Sequence, residues 1–256
     1  MRHAAVEPVS PEAPRLTGLT MMSQSWRDLT FLHWAVKPEE VAHLMPPGVR
    51  PDTLDGLTYV GLIPFRMVGA GVGHGPGVPY LGSFLETNVR LYSVDDTGRR
   101  GIVFLSLDAD RAAVVVGARL TFGLPYRWAR MTYSANGGVH TYAAQVRRAG
   151  RPTSSRVVVR PGALRQSTEL DHFLSARWGL HVHWWGRTLY IPNHHEPWPM
   201  HDAEVLALDD GLVSSAGLPG LTARPPDHVA FSPGVRTTFG LPGDAAHPRR
   251  PLLHRG

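Results

Sequence analysis

The chain contains no cysteine and a single lysine, Lys37, among its 256 residues. The first absence excludes disulfides, thiolate catalysis and cysteine metal ligands. The second leaves one amine available for imine chemistry, because the 25 arginines stay protonated and non-nucleophilic. No run of 18 apolar residues occurs, so no membrane span is expected. The opening stretch MRHAAVEPVSPEAPRLTGL lacks the apolar segment of a secretory signal, and a cytoplasmic protein is expected. Neither G-x-S-x-G nor H-E-x-x-H is present, which removes the usual signatures of a serine hydrolase and a zinc peptidase. Gly69 to Gly77 matches a dinucleotide fingerprint only in its glycine count and has no helix pattern after it. It reads as a flexible loop, placed over a pocket mouth, and no cofactor is implied.

What is present describes a globular protein with a real core: 43% hydrophobic and 18% charged residues. The net charge is +5, yet the arginines are scattered rather than gathered on one patch, so nucleic acid is not an expected partner. Residues 1–22, rich in proline and small residues, read as a disordered leader, with Met21 and Met22 competing with Met1 as the start. Residues 240–256 read as a disordered basic tail and 23–239 as one domain. The sequence leaves self-association into a homo-oligomer open.

Two helix starts are readable. Pro38 suits a first helical position and is followed by Glu39 and Glu40 at the positive end of the dipole. Thr168 and Asp171 form a capping-box-like pair ahead of Leu170, Phe173 and Leu174, with Gly179 as the stop. The remainder alternates like strands, clearest over 57–65, 86–92, 102–107, 112–120, 139–147, 156–160 and 189–191. In Glu86-Thr87-Asn88-Val89-Arg90-Leu91-Tyr92 a period of two places Glu86, Asn88, Arg90 and Tyr92 on one face. That face belongs either to a solvated strand or, in a closed sheet, to the lumen.

Six blocks resemble, in order, a bacterial family of unknown function, the YqjF-like proteins. They are WRDLTFLHW from Trp26, LMPPGV from Leu44, GLIPF from Gly61, FLETNVR from Phe84, HEPWP from His195 and FSPGV from Phe231. That family is similar in fold to acetoacetate decarboxylase. The stretch SLDADRAAVVVGARLTFGLPYRWARM, from Ser106 to Met131, resembles the decarboxylase core motif, in which two adjacent lysines follow the aromatic-x-Pro turn. The resemblance implies a β-rich α+β fold, a closed cone-shaped β-barrel with a few short helices and a ligand pocket inside.

The resemblance also places Glu86 at a pocket glutamate, Tyr126 at the imine-forming position and Arg127 at its activating neighbour. A phenol and a guanidinium cannot form the Schiff base. Tyr126, His195 and Glu86 are therefore the expected acid–base residues, and Arg127, Arg90, Arg119 and Asn88 the expected ligand contacts. Arg119 is taken to lie on the strand leading into the turn. His181, His183, His194, His195, Glu196, His201 and Asp202 invite a metal hypothesis, but without an established ligand spacing no metal is expected. Two functions follow: a pocket for a small carboxylate or carbonyl compound with non-Schiff-base acid–base chemistry, or a binding or sensing protein without turnover.

Overall fold

The computed structural model describes residues 4–146 and 153–245. Its strands run β1 (Thr20–Val36), β2 (Val49–Pro51), β3 (Thr58–Val72), β4 (Phe84–Asp95), β5 (Arg100–Ala109) and β6 (Tyr126–Asn136). They continue as β7 (Val139–Val146), β8 (Thr153–Leu164), β9 (Gly179–Trp184), β10 (Arg187–His195), β11 (His201–Asp210), β12 (His228–Gly240) and β13 (Gly243–Asp244). The helices are short: α1 (Pro38–Val41), α2 (Ala112–Phe122), α3 (Glu169–Ser175) and α4 (Leu212–Ser215).

Two closed rings share one wall. Pairing of β4 with β5 closes a nine-stranded ring through β6, β7, β8, β11, β12, β1 and β3. A second, seven-stranded ring forms because β9 pairs with β5 and β10 pairs with β12. Strands β12, β1, β3, β4 and β5 belong to both rings, and the first four are covered on both faces. Along β3, Val60 and Leu62 pack with Leu32, Trp34, Val89, Leu91, Tyr142 and Val159 on one side. Ile63, Phe65 and Met67 pack with Leu29 and Phe31 on the other. Closure of the sheet removes the exposed edges such long strands would otherwise offer.

Irregularities in the strands set which residues face the smaller ring. On β1, Asp28 adopts φ 52°, and the β1–β3 register slips between Arg27 and Leu32. This bulge changes the inward parity from Met22, Gln24 and Trp26 to Leu29 and Phe31. Arg66 pairs with the Asp28 carboxylate at 2.7 Å, and the Tyr142 hydroxyl donates to the Asp28 carbonyl, which fixes the bulge from the other lobe. The β4–β5 register slips between Val89 and Arg90, so Phe104 and Leu107 of β5 both turn inward.

The strand expected over 112–120 is instead α2. Its valines fit a strand by propensity, but β5 and β6 are parallel, with Asp108 opposite Arg127, so the segment between them must cross over. A helix makes that crossover, and Gly123 (φ 64°) ends it. Arg119 accordingly sits on a helix, not on a strand. The Thr168–Asp171 capping box forms as expected, but α3 ends at Ser175 and Gly179 opens β9 rather than closing the helix. Strands β1 and β12 carry no clean alternation in sequence because both their faces are covered, whereas β6 and β11 alternate between a core face (Ala129, Met131, Tyr133; Ala203, Val205) and an exposed one.

The boundary drawn at residue 22 falls inside β1, which begins at Thr20. Upstream, the Glu7 amide donates to the Gly98 carbonyl at 2.9 Å and the Trp178 indole donates to the Ser10 carbonyl at 3.0 Å. In the region read as a tail, Gly243–Asp244 pairs with β10, and residues 246–256 lie outside the described residues.

Gly234, opposite Arg27 on β12, has φ 117°, and a Cβ there would come within 1.9 Å of the Trp26 carbonyl oxygen. Gly234→Ala is expected to cost about 3 kcal/mol, because strain and a backbone clash coincide. Urea unfolding of the variant measures it, and a loss below about 1 kcal/mol would mean that the wall yields easily.

Candidate functional site

Inside the seven-stranded ring lies a cavity of about 540 Å³, roofed by α2 and by the segment joining β3 to β4. Its wall is mainly apolar, with Trp26, Leu29, Ile63, Phe65, Phe104 and Leu107 among the lining residues. Besides the indole N–H groups of Trp26 and Trp198, the hydrogen-bonding side chains number few: Glu86, Asn88 and Arg90 from β4, Tyr126 from the start of β6, and Gln24 and Thr121. The β4 face therefore looks into the lumen rather than to solvent. The Gly69–Gly77 stretch does border this cavity through Gly71 and is tightly packed, since a Cβ on Gly77 would meet the Gly69 Cα at 2.6 Å.

Glu86 is buried, and the Tyr126 hydroxyl donates to its Oε2 at 2.9 Å. Burial pushes the Glu86 carboxyl up to about 8, although hydrogen bonds from Tyr126 and Asn88 oppose the rise. At neutral pH Glu86 is thus a carboxylic acid with a proton to give. Tyr126 is pushed well above its ordinary value by burial and by Glu86, so it remains a phenol and serves as a donor, not as a base. The Asn88 Oδ1 is buried without a hydrogen-bond partner, and so is the Nε1 of Trp26. Orphaned polar atoms on a cavity wall are expensive unless a ligand or water meets them.

Arg90 brings the charge. Its Nε donates to the Tyr92 hydroxyl at 3.1 Å and its Nη2 to the Leu174 carbonyl at 3.2 Å. Among the described residues no carboxylate lies within ion-pair distance of it. With Glu86 neutral, the polar face of the cavity carries a net positive charge.

A buried chain stands behind Arg90. Tyr92 Oη lies 2.6 Å from His33 Nε2, His33 Nδ1 lies 2.9 Å from His228 Nδ1, and His228 Nε2 lies 2.9 Å from Asp171 Oδ1. Asp171 is clamped by Arg165 and held well below the usual carboxylate range by hydrogen bonds from Arg165, His228 and Thr168, which outweigh its burial. Burial lowers His33 far below its ordinary value. One ordering of donors satisfies every pair: Arg90 donates to Tyr92, Tyr92 to His33, His33 to His228, and His228 to Asp171.

The other expected residues lie elsewhere. Arg127 does not line the cavity; its guanidinium grips Asp108 through two contacts of 2.6 and 2.7 Å and also reaches Ser106 and Ser215. It clamps a carboxylate, but one supplied by the neighbouring strand. Arg119 donates to the Tyr126 carbonyl and so braces the turn. The His195 ring packs against Trp26, Trp178 and Trp198, and burial lowers it to about 4, so it stays neutral and sits behind the lining. His181 bonds Ser93 and Asp95, and His201 bonds the Gly162 carbonyl, so the histidines do not converge. Among the described residues no three histidine or carboxylate side chains gather as metal ligands. Sequence reasoning missed Asp108, although it sits inside the motif, and missed the His33–His228–Asp171 chain, whose members are spread over 195 positions.

The model of the DUF2071 family, described as an uncharacterized conserved protein, matches residues 23–236. The chain belongs to the DUF2071 family. It is 33% identical over 190 residues to the uncharacterized protein YqjF of Bacillus subtilis (strain 168), covering 73% of this chain and 78% of that protein. Among solved structures it is similar to the enduracididine biosynthesis enzyme MppR complexed with pyruvate, at TM-score 0.58 and 16% identity, covering 91% and 93% of the two chains. It is also similar to an acetoacetate decarboxylase-like enzyme from Sphingomonas wittichii RW1 (TM-score 0.58, 13% identity, 92% and 95%). The acetoacetate decarboxylase of Legionella pneumophila gives TM-score 0.56 and 13% identity over 91% and 90%. These DUF2071 and decarboxylase-like relations establish the barrel; no helix among the described residues is long and apolar enough to cross a membrane.

Glu86 makes the stability of this DUF2071 barrel depend on pH with a definite sign. An unfolded glutamate ionises near 4.5, while the folded one keeps its proton to about 8, so the folded state binds the extra proton between these values. Wild-type stability therefore falls as pH rises through that window, by at most about 5 kcal/mol. Glu86→Gln, which cannot ionise, is expected to gain on wild type by several kcal/mol between pH 5 and pH 9. Urea unfolding at pH 5, 7 and 9 measures the gain; a constant difference would mean that Glu86 ionises normally.

Proposed function

We propose that this DUF2071 protein binds a small organic acid bearing a carbonyl and can act on it by acid–base chemistry without a covalent imine. The observation that carries this reading is Arg90: a cation facing a largely apolar cavity with no carboxylate partner among the described residues. A carboxylate is the ligand group that satisfies it, with the charge strengthened by low surrounding polarity. The orphaned Asn88 amide oxygen and the neutral Glu86–Tyr126 pair face the same lumen. The protonated Glu86 carboxyl, held by Tyr126, supplies a donor to a carbonyl oxygen and a transferable proton, while the Asn88 oxygen is an acceptor for a ligand hydroxyl or a water. That the similar fold of MppR is found with pyruvate supports a keto acid as the ligand class.

An imine has no amine to form on in this cavity. Lys37 is exposed at the N-cap of α1 and does not line it. The chemistry left to the site is proton delivery, with Glu86 as general acid, Tyr126 orienting it and Arg90 holding the anionic end. Because the active form of Glu86 is protonated, any turnover is expected to fail as pH rises through about 8.

A thermal-shift titration with pyruvate and acetoacetate tests the reading. Wild type is expected to be stabilised increasingly with ligand, as the logarithm of its concentration once the site fills, and Arg90→Gln to lose the shift. Stabilisation retained by Arg90→Gln would remove the anion site from Arg90. A keto acid trapped by borohydride would overturn the non-covalent chemistry.

A further inference from the structure

The cavity is polar where it is buried and apolar where it meets solvent. Most of its hydrogen-bonding residues are enclosed, Glu86 at 3%, Asn88 at 4%, Gln24 at 7% and Tyr126 at 8% exposure, while Arg90 is half-buried and only Thr121 on α2 is exposed. The lining residues at its mouth are Val72, Val78 and Leu81, exposed at 80%, 43% and 36%. Single exposed hydrophobic side chains are ordinary, but several gathered round one opening are the pattern of a binding site. Tyr80 between them and Val116 and Leu120 on α2 extend the apolar surround.

The roof helix is shaped to leave room. Val114, Gly117, Ala118 and Thr121 form one stripe of α2, and all four line the cavity. The two small residues sit in the middle of the stripe, and a Cβ added to Gly117 meets no atom within 4 Å. Gly117 is not required by the backbone, for it is an ordinary helical position where most side chains would be favoured over glycine. Its smallness preserves volume. A cavity of about 540 Å³ is also of a size that encloses a ligand much larger than a three-carbon acid.

We propose that the ligand is an amphipathic keto acid, with its polar head at Arg90, Asn88 and Glu86 and an unbranched acyl tail running under α2 to the apolar mouth. This rests on the reading of Arg90 as the anion contact and adds the tail. Phe84, buried in the lining six residues before Arg90 on the same β4 face, lies about 20 Å along the strand from it, ample for an extended tail of roughly eight carbons. The tail covers the exposed apolar rim, and the oxygens of the head accept from Arg90, from protonated Glu86 and from the unpartnered Trp26 Nε1.

Calorimetric titration of the full chain with straight-chain 2-oxo acids of three to ten carbons, below their aggregation concentrations, tests this. The dissociation constant is expected to fall about fourfold per added methylene and then level off near the longer members. Gly117→Leu is expected to move that levelling to shorter chains. Equal affinity for short and long acids, all lost in Arg90→Gln, would overturn the tail while leaving the head in place. A matched series of 1-alkanols separates the two ideas: alkanols binding as tightly as the acids would keep the tail and remove Arg90 as the anion contact. Absence of binding by every acid and every alkanol would overturn both.

Discussion

The wall of β12, β1, β3 and β4 is buried on both faces, and the rest of the molecule follows from how its side chains are divided between them. One face joins β6, β7 and β8 in a dry core built on Trp34, Leu62, Leu91 and Val159. The other encloses the cavity. Strand geometry makes the division binary, since neighbouring side chains point to opposite sides and a slip of one residue would exchange the contents of the two lobes. The bulge at Asp28 and the slip beside Arg90 are where this strict alternation is broken, and they adjust what the cavity receives. Burial on both sides also gives Glu86 its unusual chemistry: there is little water to stabilise its charge, so it keeps its proton.

Within this frame the loss of the paired lysines reads as a change of electrostatic plan. Arg127 occupies the second lysine's position by resemblance, and its charge is consumed by Asp108 on the adjacent parallel strand. Breaking such a pair leaves a buried charge uncompensated, which makes it a structural element of the β5–β6 junction. Tyr126 turns its hydroxyl to Glu86. The cation that lines the cavity, without a carboxylate partner among the described residues, is Arg90, which is oriented by Tyr92 and the histidine chain ending on Asp171. The candidate site is consequently a neutral acid and a fixed cation along one strand, with an apolar lumen around them.

The polar face of β4 could be read from the sequence because a period of two survives in Glu86, Asn88 and Arg90 whatever the fold does. The barrel was readable through ordered resemblance rather than through alternation: β1 and β12 lie in a wall with two apolar faces, where the period disappears. α2 escaped because Val114, Val115 and Val116 favour a strand locally, while the parallel β5–β6 pairing that demands a helix is a long-range fact. Arg127 and His195 were traceable as motif residues, but their surroundings were not. Asp108 is 19 positions from Arg127, and Trp26 is far from His195 in the chain, so only the folded chain shows Arg127 already paired and His195 walled in by indoles. The three-segment relay of His33, His228 and Asp171 had no local pattern at all.

The central claim is that a protonated carboxyl and an uncompensated guanidinium face one lumen at neutral pH. Infrared difference spectroscopy of wild type against Glu86→Gln at pH 7 tests it most directly. The account predicts the carbonyl stretch of a protonated carboxylic acid in wild type, absent from the variant, and lost as pH rises through about 8. A carboxylate signal at pH 7 that protonates only near the ordinary value of 4.5 would contradict it.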